Sequence, residues 1–408
     1  MAIGIEKINM YCGSLALDIG KLAKARGRDG DYFKNDLMIE KKSQNVEYED
    51  VITLAVNAAK PIISEEDKKD IGLCIFATES GLDFCKSNST YVFKYLGLNP
   101  QLWTFEIKNA CYAATCGLEI AENWIRSGTG KGKKALIVAG DINYENPGRR
   151  GEEVPGVGSV AMLVSENPKV IEFETEVRGY HTFECMDYAR PTMNYDVING
   201  EESLFAYLEC LDGAFEDYRK KVGDIDVNTY FKRIIYHTPF GGLVKMGHDN
   251  LLRATCPGLK KKQRLANFLE RVEKSLRISK IVGNTYSCAL YMSLISLLIE
   301  DDGINPGERI GMYSYGSGSC AEFYASILMP GAKEYVRSLG ISEQLASRYD
   351  LSIEEFDNIA RNLASQAAKD TFETDLSYPD GWYEKFYKDK GLLILKGAKN
   401  FIRQYEWS

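Results

Sequence analysis

Histidine is scarce in this chain of 408 residues: there are three, His181, His237 and His248. No Cys-x-x-Cys pair accompanies them, so the familiar ligand spacings of a structural zinc site are missing and no metal is expected. Positive charge is in deficit as well. A net charge of −8 argues against general attraction to nucleic acid or to an anionic membrane, leaving only local basic patches. No segment approaches the roughly 18 apolar residues of a membrane span, and the opening MAIGIEKINMYCG has no signal-peptide core, so a cytoplasmic setting is expected. Eleven prolines against 36 glycines, with no short-period repeat, exclude a collagenous or low-complexity chain. What remains is an ordinary globular composition with room for two domain-sized units. Ten scattered cysteines without secretory features predict free thiols rather than disulfides.

Short apolar runs alternate with helical periodicity from end to end. Ile3 to Leu15, Ile71 to Thr78 (IGLCIFAT), Lys133 to Gly140 (KKALIVAG), Ile234 to Tyr236 and Glu308 to Tyr315 read as strands, and their unbroken apolar character suits strands covered on both faces. Helices are expected over Asp18 to Gly27, over Tyr48 to Ala59 where Pro61 forbids continuation, over ESLFAYLECLDGAFEDYRKKV, and over Tyr286 to Glu300. This alternation predicts an α/β protein with largely parallel sheets. Gly156-Val157-Gly158-Ser159 is echoed 160 residues later by Gly316-Ser317-Gly318-Ser319, each leading into a strand. The echo suggests two related halves, 1–175 and 176–408, with a charged, largely helical covering segment from about 330.

The stretch WTFEIKNACYAATCGLEIAENWIRSG, residues 103–128, places Cys111 between a strand and a helix. At a helix start the partial positive charge of the backbone lowers a thiol pKa and supplies a nucleophile; a packed core thiol is the alternative. Glu79 ends a buried strand, where active sites of open α/β sheets gather and where desolvation raises a carboxyl pKa. A capping or ion-paired glutamate fits that position equally well. His237 stands at a strand end in the same way, as a catalyst or as a satisfied hydrogen-bonding residue, and Asn284 and Ser317 fall at further turns. A thiol, a carboxylate, an imidazole and an amide make up an acyl-transfer site in residue types.

Five segments taken together carry a family resemblance: ATESGLDFCKS around Glu79, KNACYAAT around Cys111, YHTPFGG around His237, VGNTYSCALYMSLISLL around Asn284 and YSYGSGSCAEFYAS around Ser317. In this order, across roughly residues 3 to 330, the chain resembles the 3-hydroxy-3-methylglutaryl-CoA synthases. The resemblance implies the thiolase-like fold, with two related five-layered α-β-α-β-α halves, a helical C-terminal extension and a homodimer. It implies Cys111 as the acetyl-carrying nucleophile, Glu79 as general acid/base and His237 as the group holding the acceptor. Asn284 and Ser317 would hydrogen-bond the acyl oxygens, and Gly158 and Tyr286 would belong to the substrate site. Neither a metal nor a tightly bound cofactor is implied. Tyr144 does not fall where the bacterial mevalonate enzymes of the family have their tyrosine, and Cys116 reads most simply as a core thiol.

The segment HTPFGGLVKMGH carries a Gly-Gly-x-Val-Lys insertion after the His-x-Pro-Phe motif. Together with the ESGLDFCKS loop and the terminal QYEWS, it makes the chain most similar to the family members of polyketide β-branching cassettes. Those take their acyl chains from the phosphopantetheine arms of donor and acceptor acyl carrier proteins. The coenzyme A-dependent enzyme of mevalonate synthesis is the alternative, and a catalytically silent thiolase-fold binding protein is a third reading. An acidic carrier protein requires a basic rim despite the negative net charge. Arg26, Arg28, Lys34, Lys245 and Arg253 are the candidates, with Lys245 placed to reach a phosphate.

Overall fold

The computed structural model describes residues 1–143, 147–192 and 195–408. Nine strands form one mixed sheet: β1 (Gly4–Tyr11), β2 (Ile71–Ala77), β3 (Trp103–Ile107), β4 (Lys134–Asp141), β5 (Gly158–Ser165), β6 (Ile171–Thr182), β7 (Arg233–Tyr236), β8 (Arg309–Gly316) and β9 (Cys320–Leu328). Their order across the sheet is β7-β8-β9-β6-β1-β5-β4-β2-β3. The pairing repeats itself. β1 with β5 and β5 with β4 are antiparallel and β4 with β2 parallel; β6 with β9 and β9 with β8 are antiparallel and β8 with β7 parallel. β1 and β6 join the two sets through a short antiparallel contact, and β3 extends the first set, parallel to β2.

The expectation of largely parallel sheets is therefore corrected. Among the described residues no helix separates β4 from β5 or β8 from β9, and a chain that reverses in this way makes an antiparallel pair. The apolar runs themselves are as expected, because the sheet is covered on both faces.

Five helices build the layers: α1 (Val51–Ala59), α2 (Ala113–Arg126), α3 (Gly200–Val222), α4 (Gly241–Thr255) and α5 (Ala289–Glu300). Asp50 caps α1 in a capping box with Thr53, and every residue of α1 is buried against the first set of strands. On the opposite face of that set lies α2. Helix α5 is apolar around its circumference, as a helix enclosed on all sides must be, and it shares one core with α2 and with strands of both sets. Helix α3 covers the far face of the second set through a core rich in tyrosine and phenylalanine. The resulting succession is helix, first set of strands, helix, second set of strands, helix.

The C-terminal region brings helices Ala332–Ser338, Ile341–Ala346, Ile353–Ala367 and Trp382–Phe386, then a small antiparallel sheet of Phe372–Glu373, Leu393–Lys399 and Ile402–Trp407. It adds to the core over α1. The loop before α1 holds it down: Asn362 donates to Glu47 Oε1 at 2.6 Å, Tyr387 to Glu49 Oε1 at 2.8 Å and Tyr405 to Asp50 Oδ2 at 2.7 Å.

Candidate active site

Strand direction explains why distant residues meet. β2, β3 and β4 are parallel, with Ala77 beside both Ile107 and Ala139, so the residues just beyond Ala77 and Ile107 and the end of β4 crowd one edge. These are Glu79, Cys111 and Asp141. In the second set β7 and β8 are parallel with Tyr236 beside Tyr313, which puts His237 and Ser317 at an equivalent edge. Functional groups at the carboxyl ends of parallel strands follow the general rule for such sheets.

Cys111 lies two residues before α2, whose cap is Tyr112. Ala110 adopts φ +44°, a left-handed conformation that a residue with a β-carbon avoids unless its surroundings impose it. The imposing contacts come from the other set of strands. A β-carbon on Gly316 would lie 2.8 Å from Tyr112 Cβ and 2.9 Å from the Asn109 carbonyl, so only glycine lets the end of β8 approach the Cys111 turn. The Tyr112 hydroxyl donates to Glu322 Oε2 at 2.7 Å, and Glu322 is ion-paired with Arg178, which also holds Glu122. The expected lowering of the Cys111 pKa is corrected: burial pushes the thiol well up, Glu79 and Asp141 add to the rise, and Arg190 opposes it. Desolvation and two nearby carboxylates outweigh a helix terminus that the sulfur precedes.

Glu79 Oε2 is 3.8 Å from Cys111 Sγ, and Glu79 Oε1 is 3.3 Å from Arg190 Nη2. Burial pushes this carboxyl up to about 7; Arg190 holds it down, Asp141 raises it, and hydrogen bonds from Tyr188 and Cys111 lower it. Asp141 is wholly buried and acts as a hub. It accepts from Thr78 Oγ1 at 2.9 Å, from the Glu79 amide at 2.9 Å, from Ser80 Oγ at 3.0 Å and from both the amide and the hydroxyl of Ser287.

His237 follows β7; its amide donates to the Tyr313 carbonyl at 2.7 Å and its own carbonyl accepts from the Tyr207 hydroxyl at 2.9 Å. The ring is buried, which pushes its pKa down to about 3, so it is a neutral imidazole throughout the physiological range. Its Nδ1 has no hydrogen-bond partner among the described residues. Asn284 is fixed by backbone bonds to Val154 and Gly156, and its Oδ1 accepts from the Tyr286 amide at 2.9 Å. Tyr286 has φ +52°. Ser317 sits in the turn from β8 to β9, which Asp187 anchors by accepting from the Gly318 amide at 2.9 Å and from the Tyr315 hydroxyl at 2.7 Å.

A cavity of about 210 Å³ collects Cys111, His237, Asn284, Tyr286 and Ser317, with Leu204, Phe240 and Leu243 among its apolar lining. Glu79 is not part of this lining and reaches the site through Cys111. Other sequence candidates lie elsewhere. Gly158 is packed where a β-carbon would fall 2.8 Å from Met292 Cε, and it does not line the cavity. Lys245 and Arg253 border a neighbouring surface depression that shares Phe240 with the cavity, and Arg253 is paired with Asp249. Arg26 is held by Glu152 and Asp357, and Arg28 by Glu153 and the carbonyls of Gly148 and Arg149. Both arginines therefore tie segments of this chain together, and Arg28 also faces a surface depression. Lys34 borders this third depression with Lys24, Arg28 and Lys41. Tyr144 lies outside the described residues, and Cys116 is half-buried on α2. The sequence reading missed Asp141, Asp187, Tyr188 and Arg190. A signal existed in DYARP, where Tyr188 and Arg190, two apart on a strand, present both side chains on one face.

Among the described residues no cluster of His, Cys, Asp and Glu could hold a metal ion, and no helix is long and apolar enough to cross a membrane. A family model for the hydroxymethylglutaryl-coenzyme A synthase N terminal region matches residues 1–169, and one for the C terminal region matches 171–265 and 258–389. The polyketide biosynthesis 3-hydroxy-3-methylglutaryl-ACP synthase PksG of Bacillus subtilis (strain 168) is 37% identical, over 100% of this chain and 99% of its own. The hydroxymethylglutaryl-CoA synthase of Enterococcus faecalis is 33% identical, over 93% and 96%. The crystal structure of the curacin biosynthetic pathway HMG synthase in complex with holo donor-ACP superposes with a TM-score of 0.96 at 38% identity, covering 100% of both chains. With the thiol, carboxylate and imidazole gathered on the thiolase-like fold, these matches over the full length show that the chain belongs to the hydroxymethylglutaryl-coenzyme A synthase family of enzymes.

Proposed function

We propose that the protein forms a carbon–carbon bond between a Cys111-bound acetyl group and the β-keto group of an acyl chain carried by an acyl carrier protein. The product is the β-hydroxy-β-carboxymethyl intermediate of polyketide β-branching. One observation carries this reading: Glu79 Oε2 lies 3.8 Å from Cys111 Sγ, and Cys111 lines a cavity with His237, Asn284 and Ser317. Cys111 attacks the acetyl thioester of a donor carrier protein while its proton passes to Glu79, and the phosphopantetheine thiol leaves protonated. A thiol whose pKa is raised requires that coupling, because free thiolate is rare at rest. Glu79, carboxylate once more, then takes a methyl proton from acetyl-Cys111. A carboxyl near 7 suits a group that must both accept and return protons.

The enolate formed adds to the acceptor's β-carbonyl carbon, and the carbonyl oxygen becomes a tertiary alcohol as Glu79 returns the proton to it. Neutral His237, Asn284 and Ser317 hydrogen-bond the acceptor's oxygens, and backbone N–H groups at Cys111 and near Ser317 serve the thioester oxygen. Donors of this kind in a water-poor site contribute on the order of 3 kcal/mol each to the barrier reduction. Water then cleaves the thioester to Cys111. No tightly bound cofactor takes part; the phosphopantetheine arm is the carrier. Carrier-protein dependence is supported by the insertion after His237 and by likeness to PksG and to the curacin synthase solved with donor-ACP. Two related halves meeting near residue 175, a homodimer and a cytoplasmic setting complete the proposal.

Mass spectrometry after mixing with acetyl-acyl carrier protein or acetyl-CoA tests it. An acetyl adduct on Cys111 from the carrier protein, lost in Cys111→Ala, is the expected result. An adduct from the coenzyme A ester alone points to the mevalonate-type enzyme, and none from either donor leaves a binding protein.

A further inference from the structure

The nearest charged partner of Glu79 comes from a part of the chain that the sequence motifs do not include. Between β6 and α3 the chain makes a hairpin of Tyr188–Thr192 and Tyr195–Ile198. Arg190 on its first strand is almost fully buried against the Glu79 side of the site. Its Nη1 donates to Ser80 Oγ at 2.9 Å and to the Ile142 carbonyl at 3.2 Å. Its Nε and Nη2 donate to the Tyr188 hydroxyl at 3.3 and 2.9 Å, and the guanidinium lies 5.1 Å from the Tyr286 ring centre. Nη2 also stands 3.3 Å from Glu79 Oε1, while the other carboxyl oxygen faces Cys111.

We infer that Arg190 is the positioning residue of the proton-transferring carboxylate: it fixes Glu79 Oε1 and leaves Oε2 to exchange protons at Cys111. The inference rests on the reading of Glu79 as general acid/base. A guanidinium anchored at four points keeps its charge 3.3 Å from one carboxyl oxygen, an ion pair without a hydrogen bond among the described residues, and that charge favours the carboxylate form. The groups facing Glu79 are Arg190 and Tyr188 from the hairpin, Asp141 from the end of β4 and Cys111 from the turn before α2. Arg190 is the one cation in this set. Buried without it, beside Asp141, Glu79 would stay protonated at neutral pH and could not take a methyl proton. A salt bridge that merely fastens the hairpin would need no contact with the carboxyl oxygen opposite the one that faces Cys111.

The test isolates proton abstraction. Enzyme acetylated with acetyl-acyl carrier protein, or with acetyl-CoA where that is the donor, is freed of donor and placed in D2O. Exchange of the methyl protons of acetyl-Cys111 is then followed by mass spectrometry across a pH series. In the native enzyme exchange rises with pH as Glu79 becomes carboxylate. In Arg190→Gln that limb is expected to move upward by about one pH unit or more, because loss of the cation favours the protonated acid. Arg190→Lys keeps the charge without the fork, and its limb stays near the native one with slower exchange. Tyr188→Phe, a milder change, moves the limb in the same direction by less. A limb that stays in place in folded Arg190→Gln or Tyr188→Phe, whatever the rate, overturns the assignment. In Glu79→Gln the limb should vanish; if it persists, the Glu79 reading fails together with the inference, whereas a limb lost there but unmoved by Arg190→Gln overturns the arginine's part alone.

Discussion

Burial governs chemistry at the scale of single residues here, and it works on each group in a different direction. The same desolvation that raises the Cys111 thiol raises Glu79 toward neutrality and keeps His237 uncharged. With a neutral thiol and a neutral imidazole at rest, the proton carrier is the carboxylate. Glu49 shows this physics without catalysis. It is buried under the C-terminal region, accepting from Tyr387 at 2.8 Å and Tyr11 at 3.2 Å, and burial pushes its carboxyl from 4.5 up to about 7, against the hydrogen bonds of Tyr387, Val46 and Tyr11 and with a small rise from Asp50. Between those two values the folded chain keeps a proton that the unfolded chain releases. Stability is therefore full below the unfolded value and declines as pH rises through the folded one, by on the order of 3 kcal/mol for this group. Glu49→Gln retains an acceptor for both tyrosines and has no charge to bury. Its melting temperature is expected to match the native protein's near pH 4.5 and to exceed it at pH 8; an identical difference at both pH values would contradict this account.

Among the elements, the turn from β8 to β9 does the most to complete the site, because it brings Ser317 to the cavity while Gly316 rests on the Cys111 turn. Gly316→Ala sets a methyl group 2.8 Å from Tyr112 Cβ, closer than the contact allows. Since Cys111 hangs on that turn, acetylation should slow by about 100-fold or more even where the protein remains folded, as small misplacements of reacting atoms do. Rapid-quench measurement of acetyl-Cys111 formation, with a thermal melt as control, checks this. The recurrence of this glycine turn 160 residues after Gly156 was legible, because glycine marks places where backbones approach closely. Strand positions were legible too, from buried apolar runs such as IGLCIFAT. Strand direction was not: it depends on what connects the strands, and β4–β5 and β8–β9 reverse with no helix among the described residues between them. Cys111, Glu79 and His237 stood out because they follow strands directly. Arg190 did not, since its value comes from a hairpin folding over Glu79 from more than a hundred residues away, a relation that no local pattern encodes. The ion pairs of Arg26 and Arg28 were not legible for the matching reason, as their partners Glu152, Glu153 and Asp357 are remote in sequence.

At the scale of the whole molecule, the net charge of −8 would repel an acidic carrier protein unless the surface near the cavity mouth is locally positive. Phe240 borders both the catalytic cavity and the adjoining depression that holds Lys245, Arg253, Lys261 and Arg264 beside the exposed apolar side chains of Met246 and Leu265. In that depression Arg253 and Arg264 share Asp249, while the Lys245 side chain stands on α4 only eight residues after His237. A phosphopantetheine arm reaching Cys111 past Phe240 would leave its carrier protein over this face. Reversing the charge there, as Lys245→Glu with Arg253→Glu, should raise the KM for acetyl-acyl carrier protein by about 10-fold or more at low salt, because rim charges act mainly on encounter. The effect should shrink as salt is added, since exposed charges are screened over about a Debye length. The maximal rate of Cys111 acetylation should hold, as neither side chain lines the cavity. With acetyl-CoA as donor the double variant separates two contacts: an unchanged KM assigns both residues to the protein surface of the carrier, and a KM raised equally for both donors assigns them to the phosphate that the two donors share. Unchanged KM values for both donors would remove this face from the docking path altogether.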